Sequence, residues 1–256
     1  MSSFTNDEIF KQKYLKYKKK YLNLKNNNLK GGFQQDLDDY RRFLAAVRND
    51  GLFLAKLNNR FKNDRVIVIN AVQQNGLALQ FVNPRFLGDK NIIMDAVKNN
   101  GLAFNFVNFD NLRNDQEIVL AAVKNNGIVL RYVSPQLKNN REIVLAAVIN
   151  NGWALQYSSE ELRGDNQIVL AAVNNRGGAL QYSSAEPRQN PEIVLAAINQ
   201  YGLALEYASS ELRGDPEIVL SAVSNQGGAL IHASEELRTN PDFILVAARL
   251  IASRPD

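Results

Sequence analysis

The sequence predicts an all-α fold, a right-handed or near-linear α-solenoid of short-helix repeats about 25 residues long, preceded by a separate basic N-terminal helix. Three observations predict it. A glycine follows each of a series of apolar runs, at Gly51, Gly76, Gly101, Gly127, Gly152, Gly177, Gly202 and Gly227, with 25-residue steps throughout except for 26 between Gly101 and Gly127. The same register puts Asp or Asn at one position of every copy, at Asp39, Asp64, Asp89, Asp115, Asn140, Asp165, Asn190, Asp215 and Asn240. Between cap and glycine the wording itself recurs, with Glu-Ile-Val-Leu-Ala-Ala-Val at Glu117 and again at Glu142.

The first element of each copy, helix A, starts at that Asp or Asn. The side-chain oxygen of either residue accepts from an orphan N–H of the first helical turn, and proline suits the position that follows. Pro191, Pro216 and Pro241 stand there, while Glu117, Glu142, Glu192 and Glu217 add first-turn negative charge that the helix dipole favours. Amide residues and the glycine end the helix, as in Asn125-Asn126-Gly127, the pattern of a left-handed glycine closing a helix. The run Ile-Val-Leu-Ala-Ala-Val is apolar nearly all round, so cover by neighbours on several sides is expected. A run this short and β-branched also suits a buried strand, and the caps at both ends decide for helix.

A shorter apolar stretch follows the glycine, Trp153-Ala154-Leu155-Gln156-Tyr157 in one copy, and reads as a short helix B. Next comes Ser or Asn, at Asn58, Asn83, Asn108, Ser134, Ser159, Ser184, Ser209 and Ser234, starting a one-turn helix such as Ser159-Glu160-Glu161-Leu162-Arg163. Neither helix is long enough to be stable alone, so each copy must bury its apolar face on the next. The expected organisation is a leader over residues 1–32, then a solenoid over 33–256 of eight glycine-closed repeats and a terminal capping helix, Pro241–Ala252. Asp39–Val47 reads as a degenerate first copy, with Arg41 and Arg42 where later copies have Glu and Ile.

The consensus [Asp/Asn]-x-Glu-Ile-Val-Leu-Ala-Ala-Val-x-Asn-Asn-Gly-x-Ala-Leu-x-Tyr-x-Ser-x-x-Leu-[Arg/Lys] resembles the helical repeat called domain of unknown function 4116, over about residues 39–252. That family carries no established activity, so the resemblance implies a fold and no reaction. The opening Lys13-Tyr14-Leu15-Lys16-Tyr17-Lys18-Lys19-Lys20-Tyr21-Leu22, with Gly31-Gly32 after it, resembles a leader of proteins from mimivirus-like giant viruses.

Composition limits chemistry. Cysteine is absent and histidine occurs once, which excludes disulfides, thiolate metal sites and a cysteine nucleophile. His232 stands in the column Phe81, Phe106, Tyr132, Tyr157, Tyr182, Tyr207, where an aromatic ring is most simply packing. Glu117 and Glu142 recur because caps recur, whereas acid–base catalysis needs a unique pair. Gly177-Gly178 and Gly227-Gly228 end helices and lack the lysine of a phosphate loop. No catalytic, cofactor or metal residue is therefore assigned, and the chain is expected to be no enzyme.

Two columns remain. Lys62, Arg113, Lys138, Arg163, Arg188, Arg213 and Arg238 each stand two residues before a cap, interrupted only at Leu87, a candidate groove for an acidic or phosphorylated protein partner. The plainer reading pairs each cation with a first-turn Glu or the end of the preceding helical turn. An amide column, Asn49, Gln74, Asn99, Asn125, Asn150, Asn175, Gln200 and Asn225, is expected to bond helix ends of successive copies, with clamping of a peptide backbone as the other reading.

The leader differs in kind. Eight lysines against Asp7 and Glu8 place +6 in residues 1–32 and leave −2 for the rest of a chain of net charge +4. Phe10, Tyr14, Tyr17, Tyr21 and Leu24 line one helix face, fit to dock on a partner, nucleic acid or an anionic membrane surface. Asn26-Asn27-Asn28 and Gly31-Gly32 read as a linker, and Gly31-Gly32 as a candidate cleavage site for a cysteine protease cutting after Gly32. The longest apolar runs, about six residues, fall far short of the ~20 a membrane helix needs. The expected setting is intracellular, in host cytoplasm, viral factory or virion if the protein is viral. The expected role is a scaffold presenting an extended surface to a protein partner, or else a structural component that packs by self-association.

Overall fold

At the recurring caps from Asp64 onward, the Asp or Asn side chain takes up first-turn N–H groups as its chemistry demands. Asp115 accepts from Glu117 and Ile118, Asp165 from Gln167 and Ile168, and Asn240 from Asp242 and Phe243. These contacts come from a computed structural model that describes residues 30–252, over which the chain is helical without strands. Among the described residues the helices A are α1 Lys30–Asn49, α2 Arg65–Gln74, α3 Lys90–Asn99, α4 Gln116–Asn125, α5 Arg141–Asn150, α6 Asn166–Asn175, α7 Pro191–Gln200, α8 Pro216–Asn225 and α9 Pro241–Ala252.

Helix B is a six-residue 3-10 helix, such as Gly127–Tyr132 or Gly152–Tyr157, tighter than the α-helix the sequence leaves room for. Its N-cap is the second amide of the pair, so Asn126 and Asn151 accept from Ile128 and Trp153. The one-turn helices follow, capped as expected by Asn58, Asn83, Ser159, Ser209 and Ser234. Ser134 makes no capping bond. Two copies have a 3-10 turn here instead of an α-helical one, Pro84–Phe86 and Pro187–Gln189, the latter with Pro187 where other copies have leucine or phenylalanine.

Two compact units divide the chain, Met1–Leu112 and Arg113–Asp256. Within the first, α1 packs on α2 and α2 on α3; within the second, α4 to α9 pack in chain order. In each unit the 3-10 helices pack on one another as a second layer. The core lies between the layers, built in one copy from Ile168, Val169, Ala172, Val173, Ala179 and Leu180, all fully buried. A ten-residue helix is marginal alone, while each large apolar side chain taken from water contributes about 1.5–3 kcal/mol. Stacking therefore holds every copy.

The column glycine is not a left-handed helix closer. Its backbone is ordinary, and it opens the 3-10 helix at a point where the next copy comes close. A Cβ on Gly127 would stand 2.2 Å from the Ala147 carbonyl oxygen, and one on Gly76 2.2 Å from that of Ala96. Glycine is required by this approach of backbone to backbone.

Asp39 also departs from expectation. It lies inside the twenty-residue α1 and pairs with Arg42 at 3.0 Å, so the first helix A has no cap at that position. Gly31 and Gly32, expected in a linker, are the second and third residues of α1.

Candidate interaction surfaces

The amide column binds the copies together. Asn150 of α5 accepts from Gly127 N–H at 2.7 Å, and its own amide nitrogen donates to the Lys124 carbonyl at 3.0 Å. Gln74 does the same for Gly51 and the Asn49 carbonyl, Asn99 for Gly76 and Gln73, Asn175 for Gly152 and Ile149, and Asn225 for Gly202 and Asn199. Each amide thus satisfies a buried donor and a helix-end acceptor of the preceding copy, two groups that would otherwise be costly to leave unpaired. A peptide backbone would have to displace these bonds to use the column.

The basic row is built into the same framework. Lys62 and Lys138 donate Nζ to the Ala55 and Arg131 carbonyls at 3.0 Å, and Arg188 donates Nη2 to Gln181 at 2.6 Å, each seven residues earlier. Those carbonyls close the 3-10 helix of the same copy, where a cation also offsets the negative end of the helix dipole. Arg238 donates Nε to the Ala233 carbonyl at 3.1 Å, and Arg113 donates Nη2 to that of Tyr132 at 3.1 Å. The Nε atoms of Arg163, Arg188 and Arg213 are buried. Backbone carbonyls of Lys138, Arg163, Arg188 and Arg213 accept in turn from Ser159, Ser184, Ser209 and Ser234 of the following copy at 2.8–3.0 Å. All of these side chains but Arg238 are half-buried.

A further link joins some cap residues to the copy before. Arg65 bonds Asp89, and Arg141 lies 3.3 Å from Asp165. Burial pushes the Asp89 carboxyl up, but the Arg65 hydrogen bond and charge, with the Ile92 and Asn91 N–H groups, outweigh it and hold the group below the usual carboxylate range. Asp165 is lowered on the same balance, burial being outweighed by the Ile168 N–H, Arg141 and the Gln167 N–H.

His232 is half-buried at the end of the last 3-10 helix, Gly227–His232, in the aromatic column. The leader face Phe10, Tyr14, Tyr17, Tyr21 and Leu24 lies outside the described residues. Gly31 and Gly32 fall in the first turn of α1, so a protease reading the pair in extended form must first unwind that turn.

A different surface was missed by reading columns of charge. Leu120, Leu145, Leu170, Leu195 and Leu220 are only half-buried, and Leu245 is exposed. The helices A of the second unit form one layer whose far side the described residues leave uncovered, which is why an all-round apolar helix keeps one open face. Ala121, Ala146, Ala171 and Ala196 lie half-buried beside the leucines, and Ile149 is exposed. Between α4 and α5 the layer forms an open groove of about 390 Å³ lined by Leu120, Lys124, Glu142, Leu145, Ala146 and Ile149. Exposed Glu117, Glu142, Glu192, Glu217 and Asp242, three residues before their leucines, flank the row with carboxylates. The signal was in the sequence, as a leucine held at one position in every copy from Leu120 to Leu245.

A layered stack of short helices, clamped copy to copy by one amide and one glycine, defines an all-α repeat protein of the solenoid class. The chain belongs to the family described as domain of unknown function DUF4116, which matches residues 41–87, 89–138, 140–188, 190–238 and 215–250. No curated protein and no solved structure matches the chain. Each of the first four matches spans two 25-residue copies, so the family's unit is a pair. The pairing is visible in the second unit, where Trp153 and Leu203 alternate with Gly178 and Gly228 at one position. No helix among the described residues is long and apolar enough to cross a membrane.

Proposed function

We propose that the protein is a non-enzymatic scaffold that presents the open face of its helix A layer to a protein partner. The half-buried leucine row from Leu120 to Leu245 carries this reading. An apolar residue left partly uncovered in six successive helices keeps apolar area on the surface, which is the mark of a binding face. The carboxylates along one edge select a partner segment with an apolar side and lysine or arginine beside it. The basic row is a poorer candidate, because an acidic partner would compete with the carbonyls that Lys62, Arg113, Lys138, Arg188 and Arg238 already bond. Every potential catalytic side chain belongs to a repeated column, which supports a role without catalysis.

In this reading the leader is a docking or localisation element, and contact with nucleic acid or an anionic membrane is confined to it. Its resemblance to giant-virus leaders supports an intracellular setting in host cytoplasm, viral factory or virion. A structural component of a viral particle or factory that packs by self-association is the second reading, favoured by the apolar face of α9. Affinity purification of the chain with and without residues 1–32, followed by mass spectrometry, tests the assignment. Recovery of the same protein by both forms places the partner on the repeats. Loss of that protein with the leader removed would overturn the leucine row as its site.

A further inference from the structure

The two end faces of the repeats are built differently. In α1 one of the positions that later copies turn toward the preceding repeat is charged, with Arg42 where Ile118 and Ile143 stand in later copies, while Ala46 keeps the alanine of Ala122 and Ala147. Arg42 is largely exposed and pairs with Asp39, and Arg41 lies 3.9 Å from Asp38. This gives the outer face of α1 a polar cap.

The last helix, α9, has no such cap. Phe243 and Ala247 are buried toward the preceding copy. Ile244 is 39% exposed, whereas its counterparts Val119, Val144, Val169, Val194 and Val219 are 0% exposed under the following helix. Ala248 is likewise exposed where Val123, Val148, Val173, Ile198 and Val223 are fully buried. Beside them Leu245 is 52% and Val246 44% exposed. The amide column also stops here, with Leu250 at its position. In the same copy Ile231, 68% exposed, stands where six of the other 3-10 helices carry the polar Gln80, Asn105, Arg131, Gln156, Gln181 and Glu206 and the first carries Ala55. The terminal copy therefore keeps the apolar joining face of an internal repeat and adds to it.

We propose that a second copy of this chain covers this face, α9 against α9 in a two-fold pair. The face continues the interface by which each helix A joins the next, so a helix with an apolar side is its natural complement. Head-to-tail stacking would instead lay it on Asp38, Arg41 and Arg42 and strip water from those charges. The two-fold pair matches apolar to apolar. A helix of 12 residues is about 18 Å long, short of the ~800 Å² per partner of a standard interface, so the pair is weak, with a Kd of about 1–100 µM.

Sedimentation velocity of the full chain from about 1 to 300 µM tests this, with a monomer-to-dimer shift as the expected result. Ala248→Glu puts a good helix former carrying charge on an exposed position, and is expected to leave the circular dichroism and unfolding midpoint unchanged while raising the Kd at least about tenfold. Arg42→Glu is expected to leave dimerisation unchanged. A monomer at every concentration, a dimer insensitive to Ala248→Glu, or growth into species beyond the dimer would overturn the proposal. Leu245 belongs to both the row and this face, so the variant is placed at Ala248, outside the row, and a failure of the pair is read without altering the leucines.

Discussion

Trp153 occupies the space that a side chain on Gly178 would fill. A Cβ on Gly178 would stand 2.8 Å from Trp153 Cη2, and the indole meets Tyr182 of the same later copy edge-on, with ring centroids 5.9 Å apart. One copy supplies the bulk and the next supplies the room. Gly178→Val is therefore expected to destabilise the second unit by about 1–3 kcal/mol through overpacking. In a double-mutant cycle with Trp153→Leu, the combined loss is expected to be smaller than the sum of the single losses. Additive losses in denaturant titrations would show that the two residues do not share this space.

Two glycines of the same family of turns should respond in opposite ways to alanine. At Gly127 the new Cβ would meet the Ala147 carbonyl oxygen at 2.2 Å, a backbone atom that moves only with α5. Gly127→Ala is expected to cost about 3 kcal/mol or more. At Gly228 the nearest atom is Leu203 Cδ2 at 3.8 Å, an ordinary contact on an exposed residue. Gly228→Ala is expected to be neutral or to stabilise by about 0.4–1 kcal/mol through the unfolded chain. Thermal unfolding of both variants checks the contrast.

The Asn150 amide gives a sharper test of the clamp. Asn150→Ala leaves the Gly127 N–H and the Lys124 carbonyl without their partner, at an expected cost of about 1–3 kcal/mol. Asn150→Asp retains the acceptor for Gly127 but sets a carboxylate against the Lys124 carbonyl, so it is expected to recover part of the loss and no more. Hydrogen exchange read at Gly127 should speed up in Asn150→Ala more than in Asn150→Asp.

The acid limb of stability follows from Asp89 and Asp165. Both carboxyls lie below their ordinary value in the folded chain. A lowered folded pKa means that the unfolded chain binds a proton first, so the stabilisation is fully present above the unfolded value near 3.9 and is lost as pH falls through the folded value. Unfolding midpoints are therefore expected to be flat in this contribution from neutral pH to about 5 and to fall below about 4. Asp89→Asn is expected to reduce the slope of that fall, and an unchanged slope would remove Asp89 from the account.

Much of the architecture was legible because it is local. Asp115, Asn140 and Asp165 announce a helix start by their own chemistry, and the 25-residue step makes the announcement eight times over. Inter-copy bonding by Asn150 was legible too, since an amide held in a column has few other uses. What the sequence hid is long-range. Gly127 was read as a closing turn because nothing local reveals that the Ala147 carbonyl, twenty residues on, leaves no room for a Cβ. Asp39 was read as a cap because its residue type fits, although the helix already runs from Lys30. The basic row was visible as a column, but only coordinates reveal Lys138 reaching back to the Arg131 carbonyl. The leucine row was equally visible and was absorbed into the core, since an apolar run does not say which of its sides a neighbour covers.

The central claim, that recognition runs along the leucine row and the basic row is structural, is tested most directly by titrating the purified partner against two triple variants. Leu145→Gln, Leu170→Gln and Leu195→Gln together alter the row without adding charge. Arg163→Gln, Arg188→Gln and Arg213→Gln together alter the cations. With folding verified for both by circular dichroism, calorimetry is expected to show the affinity falling at least about a hundredfold, or about 2.7 kcal/mol, for the leucine variant and by less than threefold for the arginine variant. Unchanged binding by the leucine variant, with loss in the arginine variant, would contradict the account.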